Sequence, residues 1–365
     1  MPQRVVMHAD LDYFYAQCEE NVNPTIRGKP VVVCVYSERT EDSGVVSTCN
    51  YIARRSGVKA GIPIVRARKL LAGTEAIFLR INKELYEQVS DRIMTILRKY
   101  ADAFERVGID EAYLDVSRRA NGDFNQAVRI APQIKREIVR CEHITCSIGV
   151  GPNKLLAKIA SDENKPDGLT IVKPEDVNTY LAKLPVSRIP GVGKKVEERL
   201  SRLRVSTAGE LSRLDSTVLI RTFGKSLGNY LYQAARGEDD EPVQEGEKPN
   251  QFSRIGTLKS NTREIAQIIP LLDNLANSVA IRLVEHNMAC KSICIIAITD
   301  SLKIHSRSRT LESPTFDENN IKQSSRELLE RFLQSMPDVV IRRIGVKLTG
   351  LSSRGGQIDL SRFLR

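Results

Sequence analysis

Four carboxylates in two short clusters are the residues here whose types and spacing could do chemistry. Asp10 and Asp12 close the apolar run RVVMHADLD, and Asp110 and Glu111 lie inside ERVGIDEAYLD. Val5, Val6 and Met7 read as a strand, and Gly108 before the second pair favours a tight hairpin, so the acids fall at strand ends rather than on a solvated helix face. If the two strands are neighbours, the carboxylates converge. Converging hard oxygen ligands repel unless a cation neutralises them, and the cation suited to a few carboxylates plus substrate phosphates is magnesium. Phosphoryl transfer is the chemistry such a site would run. Strand-end acids also cap turns, and that is the competing explanation for any one of them. Adjacent strand residues point to opposite faces, so Asp110 and Glu111 serve one site only if the hairpin turn reorients them.

The elements that must position these acids read in a definite order. The strand at 4–10 is followed, after an insertion, by a helix with Leu85, Val89, Ile93, Ile96 and Leu97 on one stripe. A hairpin around Asp110, a helix near 124–140 and the strand HITCSIGVG come next. Together these form βαββαβ, a ferredoxin-like sheet, whose first crossover carries an insertion from about 14 to 80 with a further strand at KPVVVCVYS.

A second unit begins near 173 around RIPGVGKKVEERL. Gly191 and Gly193 there end one helix and start another, offering backbone amides beside Lys194 and Lys195 as a cradle for a DNA phosphate. FGKSLGNYLYQAARG reads as a weaker second copy. The acidic, proline-bearing stretch EDDEPVQEGEKPN is a linker. Beyond it, 251–350 again suggests βαββαβ. In LKIHSRSRT, Lys303, His305, Arg307 and Arg309 fall at period two and share one strand face as a basic rail, adjoined by Arg342, Arg343 and Lys347.

Composition narrows the class. The chain has 365 residues, enough for two to four packed units, and a net charge of +10. Residues 250–365 hold 17 lysines and arginines against 11 acidic residues, more than half of that excess, which suggests a polyanionic partner. The sequence shows neither a long apolar run nor a signal-peptide core, so a cytoplasmic protein without a membrane span is expected. The seven cysteines lack C-x-x-C spacing and read as reduced, mostly buried thiols. His286, Cys290 and Cys294 come nearest to a metal-binding spacing, but the isoleucines around the cysteines read as a core strand.

Five motifs, HADLDYFYAQCEE, STCNYIARRSGVKAGIP, GIDEAYLDVS, SIGVGPNKLLAKIASDENKPDG and IPGVGKKVEERL, occur in this order. By them the chain resembles the Y-family, DinB-type translesion DNA polymerases of the polymerase IV group, from residue 4 to about 350. The resemblance implies an α+β right-hand polymerase with a ferredoxin-like palm (1–13 and 81–172), small fingers (14–80) and a helical thumb with a helix-hairpin-helix (173–238). A linker (239–249), a βαββαβ little finger (250–350) and a C-terminal tail (351–365) would complete it. It implies two Mg2+ ions held by Asp10, Asp110 and Glu111 with the main-chain carbonyl of Leu11, leaving Asp12 as a structural acid. It also implies triphosphate contacts from Thr48, Tyr51, Arg54 and Lys165, with Tyr15 as the steric gate that excludes ribonucleotides. The partners would be primer-template DNA and deoxynucleoside triphosphates, bound by a monomer of low fidelity.

Gln357, Leu360, Phe363 and Leu364 in GGQIDLSRFLR follow the spacing of peptides that dock on sliding clamps, with Leu364 where an aromatic is usual. The form of this motif points to an archaeal source. Two other classes would share parts of the pattern. A nucleotide cyclase uses a similar sheet with paired carboxylates but leaves the hairpin at 190–193 and the basic rail unexplained, and a silent DNA-binding scaffold leaves the intact acids unexplained.

Overall fold

The N-terminal apolar run forms strand β1 (Val6–Leu11) in a computed structural model of the chain, which describes residues 3–37, 39–246 and 249–354. After it come α1 (Phe14–Val22), β2 (Val31–Tyr36), β3 (Gly44–Cys49), α2 (Tyr51–Arg55), α3 (Ile64–Leu70) and β4 (Ile77–Arg80). Next are α4 (Lys83–Lys99), β5 (Ala103–Arg106), β6 (Glu111–Asp115), α5 (Phe124–Glu142), β7 (Cys146–Gly151), α6 (Lys154–Ser161) and β8 (Leu169–Ile171). The main sheet runs β5-β6-β1-β7-β8, with β1 antiparallel to both its neighbours.

Period two along β1 explains the layering. Met7, Ala9 and Leu11 point into a core shared with Ala112, Leu114, Ile148 and Val150, which α4 and α5 cover. Of the expected stripe on α4, Val89, Ile93, Ile96 and Leu97 are buried and Leu85 is partly buried, with Tyr86 buried beside them, and the Asn82 side chain caps the helix by accepting from the Leu85 amide. Each such side chain contributes about 1.5–3 kcal/mol on burial. The opposite parity, Val6, His8 and Asp10, faces α6. That helix approaches closely because β7 offers glycines: a Cβ on Gly149 would lie 2.0 Å from the Ala157 carbonyl oxygen.

In the insertion, β3-β2-β4 form a separate three-stranded sheet, of which only β2 was expected. β4 spans only four residues, and β3 carries the polar Ser47 and Thr48 where β2 is a continuous apolar run. The helical segment contains α7 (Val177–Ala182), α8 (Lys194–Arg202), α9 (Ala208–Leu211), α10 (Ser216–Phe223) and α11 (Lys225–Ala234). After residue 250 come β9 (Gln251–Thr262), α12 (Ile265–Glu285), β10 (Met288–Thr299), β11 (Ile304–Thr315), α13 (Glu318–Ser335) and β12 (Ile341–Ser353). This is the second βαββαβ, in the order β11-β10-β12-β9, with β12 passing the expected boundary at 350 by three residues. Cys290 lies in the core strand β10.

The chain divides into two units, one reaching from the start to Val35 and from Val45 to Gly246, the other comprising Tyr36–Gly44 and the described residues after Gly246. The expected linker is not loose along its length. Its apolar residue Val243 is buried with Val6, Tyr113 and Ala157. The Asp239 carboxylate accepts from the Leu155 amide at 2.9 Å, and the Arg4 guanidinium donates to the Asp239 and Glu241 carbonyls. Composition reads this stretch as solvated because the groups that hold it are remote in sequence.

Candidate active site

Asp10 ends the α6-facing row of β1, and its register partner on β6 is Glu111. Asp110 precedes β6 in the hairpin, where its carbonyl accepts the Leu11 amide at 2.8 Å. Because Asp110 lies in the turn and Glu111 in the strand, the alternation that would separate their side chains does not apply. The backbone around Leu11 and the three acids thus meet at one end of β1 and β6.

Their charges are matched by two lysines. Lys165 Nζ lies 2.8 Å from Asp10 Oδ2 and 2.7 Å from Asp162 Oδ1, and Lys158 Nζ lies 2.5 Å from Glu111 Oε2. Burial raises the Asp10 carboxyl, with Asp110 adding to the shift and Lys165 opposing it. Burial also raises Asp110, and the neighbouring Glu111 charge adds to it. Glu111 moves the other way, down to about 2, because His8 and then Lys158 favour its anion. Among the described residues, no group of three or more His, Cys, Asp or Glu side chains is drawn together closely enough to hold a metal ion. The donor set of carboxylates and a main-chain carbonyl nevertheless suits a hard divalent cation, and two of the carboxylates already accept positive charge from the lysines.

Asp12 is a structural acid. It is 1% exposed, and its carboxylate accepts Ser147 Oγ at 2.8 Å, Thr145 Oγ1 at 2.9 Å and the Asp167 amide at 2.8 Å. These bonds tie the end of β1 to β7 and to the loop that carries Lys165.

The remaining residues singled out from the sequence cluster nearby. Tyr15 is half-buried on α1 and stacks on Tyr86, with ring centroids 4.2 Å apart and planes 12° from parallel. Burial and then the Asp110 charge raise its phenol. Tyr51 begins α2, and the Arg54 guanidinium lies 4.7 Å from its ring centroid. Burial raises the Tyr51 phenol, Asp12 and Asp10 add to the shift, and Arg54 and Lys165 oppose it, so these groups act on one ring. Thr48 is half-buried on β3, just before that turn. Lys158, His8 and Ser161 were not expected. The signal for Lys158 and Ser161 lay in SIGVGPNKLLAKIASDENKPDG, where Lys154, Lys158 and Ser161 recur at helical spacing, and that for His8 in its place two residues before Asp10 on the same strand face.

The helical segment offers two helix starts of the same form. Gly193 caps α8 after Gly191 turns at φ 81°, and Gly224 caps α11 after turning at φ 85°. Lys194, Lys195 and Lys225 lie in the first turns of these helices. Tyr230 of α11 donates its hydroxyl to the Pro190 carbonyl at 2.6 Å and so pins the first hairpin. A 3-10 turn (Val186–Arg188), rather than an α-helix, enters that hairpin.

The basic rail needs correction. Lys303 precedes β11 and is not part of the strand row. His305, Arg307 and Arg309 do share a face, but their register partners Ala297, Ile295 and Ile293 belong to the core beneath α12 and α13. Parity therefore turns the row toward α13, where Arg309 pairs with Glu327 at 2.6 Å and the Arg307 guanidinium lies 5.5 Å from the Phe332 ring centroid. On the sheet's other face, Arg343 and Lys347 alternate with the buried Ile344, Val346 and Leu348 of β12. A register shift between Ile341 and Arg343 leaves Arg342 at a bulge, which can re-aim its side chain. The clamp-type residues Gln357, Leu360, Phe363 and Leu364 lie outside the described residues.

Comparison with known proteins agrees along the whole chain. Residues 9–162 match the impB/mucB/samB family, residues 249–360 its C-terminal domain, and residues 187–239 the thumb domain of DNA polymerase-iota. The chain is 44% identical to the DNA polymerase IV of Methanosarcina acetivorans, over 99% of both chains. It is 42% identical to that of Nitrosopumilus maritimus, over 100% of both. Among solved structures, a chimera of the Y-family DNA polymerases Dbh and Dpo4 superposes with a TM-score of 0.90 at 38% identity, covering 96% of this chain and 99% of that one. The insertion ternary complex of Dbh DNA polymerase superposes with a TM-score of 0.69 at 38% identity and the same coverage.

Proposed function

From the premise that this chain belongs to the impB/mucB/samB family, the Y-family DNA polymerases, and has their right-hand fold, we propose the following roles for its residues. The protein is a translesion DNA polymerase, a nucleotidyltransferase that uses a divalent metal and acts on primer-template DNA and deoxynucleoside triphosphates. Asp10, Asp110 and Glu111, with the Leu11 carbonyl, would hold two Mg2+ ions. Bound there, the ions would acidify the primer 3′-hydroxyl and neutralise charge on the triphosphate and the departing pyrophosphate.

The other roles belong to the chain's own groups. Arg54 offers a planar fork to phosphate oxygens, and Lys165 moves a point charge from Asp10 to the triphosphate. Thr48 and Tyr51 add hydroxyl donors. Tyr15, held by its stack on Tyr86, closes the space a ribose 2′-hydroxyl would need. Backbone amides at Gly191 and Gly193, with Lys194 and Lys195, bind a backbone phosphate. Lys303, Arg307, Arg309, Arg342 and Arg343 supply further phosphate contacts, those of Arg307 and Arg309 reaching around the sheet edge.

The palm is 1–13 and 81–172, the fingers 14–80, the thumb 173–238, the linker 239–249 and the little finger the expected 250–350 extended to 353 by the end of β12. The protein works as a cytoplasmic monomer tethered to a sliding clamp through Gln357, Leu360, Phe363 and Leu364. Among the described residues no helix is long and apolar enough to cross a membrane.

The register pairing of Asp10 with Glu111, beside the hairpin carrying Asp110, carries the active-site assignment. Primer extension opposite an abasic site, with Mg2+ and with the metal chelated, tests it. Extension with Mg2+ that stops on chelation is expected, and extension unaffected by chelation would reject the metal assignment.

A further inference from the structure

His8 is 0% exposed, and no step above uses it. It occupies the α6-facing row of β1, two residues before Asp10. Its register partners explain its burial. On β6 the partner is Tyr113, whose ring centroid lies 4.7 Å away; on β7 it is Gly149, over which α6 descends. The imidazole is thereby enclosed between a helix, an aromatic ring and Glu111.

Both ring nitrogens meet polar atoms. Nδ1 lies 2.8 Å from Ser161 Oγ, and Nε2 lies 3.3 Å from Glu111 Oε2 without the geometry of a formed hydrogen bond. Ser161 Oγ also lies 2.8 Å from the Lys158 carbonyl oxygen. A serine hydroxyl has one proton to give. Given to Lys158, it makes Nδ1 the donor and turns the bare lone pair of a neutral Nε2 toward a carboxylate. Given to Nδ1, it makes Nε2 the N–H and places that donor 3.3 Å from Glu111 Oε2. Only the second arrangement suits an anionic Glu111 with an uncharged buried imidazole.

We infer that His8, its tautomer set by Ser161, is a positioning residue that presents an N–H to Glu111 Oε2 from beside Lys158 and so leaves the carboxylate's other oxygen as a ready ligand for a divalent cation. This rests on the reading of Glu111 as a metal ligand. Outer partners of this kind fix ligand orientation, and their loss weakens metal affinity by about 10- to 100-fold. The proposal depends on donor geometry, not on a change of charge at His8.

The experiment uses the full chain with primer-template DNA and compares His8→Phe, His8→Gln, Ser161→Ala and Glu111→Gln. Mn2+ binding is measured directly by calorimetry, alongside the Mg2+ concentration giving half-maximal extension and the nucleotide KM at saturating Mg2+. His8→Phe is expected to raise the Mg2+ requirement and weaken Mn2+ binding by about tenfold or more. The nucleotide KM at saturating metal should stay within about twofold, and kcat should recover at high Mg2+. His8→Gln, which keeps an N–H near the position of Nε2, should restore most of the affinity, and Ser161→Ala should give a smaller loss.

Unchanged Mn2+ binding in folded His8→Phe overturns the proposal, as does an equal loss in His8→Phe and His8→Gln. If His8→Phe does not fold, Ser161→Ala decides, and unchanged metal affinity there overturns it. Metal binding unchanged in Glu111→Gln overturns the underlying ligand assignment instead, and the proposal with it.

Discussion

Asp10 and Glu111 are register partners across the antiparallel pair of β1 and β6, and the next residue along, Leu11, donates its amide to the Asp110 carbonyl at 2.8 Å. Sheet hydrogen bonding, rather than a mobile loop, therefore sets the spacing of the acids. Asp110→Asn keeps the shape but removes a charge. Transition-state stabilisation of several kcal/mol should be lost, a rate decrease on the order of a hundredfold or more in single-turnover extension. DNA affinity at fixed salt should remain within about twofold, because the phosphate-binding residues proposed in the thumb and little finger are untouched.

Tyr15 presents one ring face to Tyr86, whose hydroxyl is fixed by Glu19 at 2.6 Å. A stacked ring resists displacement, so exclusion of a 2′-hydroxyl should depend on the ring and not on the phenol oxygen. Tyr15→Ala should lower the ratio of kcat/KM for dATP over ATP by about tenfold to a hundredfold. Tyr15→Phe should leave the ratio unchanged. Primer extension with each nucleotide measures both.

Gly149 is where α6 meets the sheet. A Cβ there would sit 2.0 Å from the Ala157 carbonyl oxygen and 2.3 Å from the Ser161 amide nitrogen, both backbone atoms that cannot swing aside. Gly149→Ala should displace the helix bearing Lys154, Lys158 and Ser161 and cost more than about 3 kcal/mol in urea denaturation. A loss under about 1 kcal/mol would show that α6 can shift at little cost.

The acids, both βαββαβ units and the helix-hairpin-helix were legible because each writes a local signal: an apolar run ending in Asp10, a stripe along α4, a Gly-x-Gly turn before α8. What escaped was made by tertiary contact. Lys158 and Ser161 sit on a helix whose polar residues resemble a solvated face, and only the glycines of β7 reveal how closely that helix packs. Period two put His305, Arg307 and Arg309 on one face correctly, yet it could not say which face carries the helices. The buried isoleucines of β10 decide that.

The tail bearing Gln357, Leu360 and Phe363 lies beyond the described residues, so its role is tested by function. Deleting residues 355–365 should abolish stimulation by a sliding clamp while sparing distributive synthesis, since tethering acts through effective concentration rather than through the active site. Primer extension with and without clamp reads this directly, and stimulation retained after deletion would exclude the tether.

Lys154 joins the stretch bearing Glu241 to strand β5 of the main sheet. Its side chain is 8% exposed, with Nζ 2.8 Å from Glu105 Oε1, 3.3 Å from Glu241 Oε1 and 5.0 Å from the Tyr113 ring centroid. Glu105 is itself largely buried and accepts only weakly from the Gln244 amide, at 3.3 Å. Replacing the lysine by methionine preserves bulk but leaves the Glu105 charge without its cation, a change that costs about 3–5 kcal/mol when a buried pair loses one member. Pairing Lys154→Met with Glu105→Gln removes the stranded charge and should recover most of that loss. The coupling separates an ion pair from mere packing: additive effects of the two substitutions in urea denaturation would mean that Lys154 acts through its aliphatic stem and the Tyr113 ring alone.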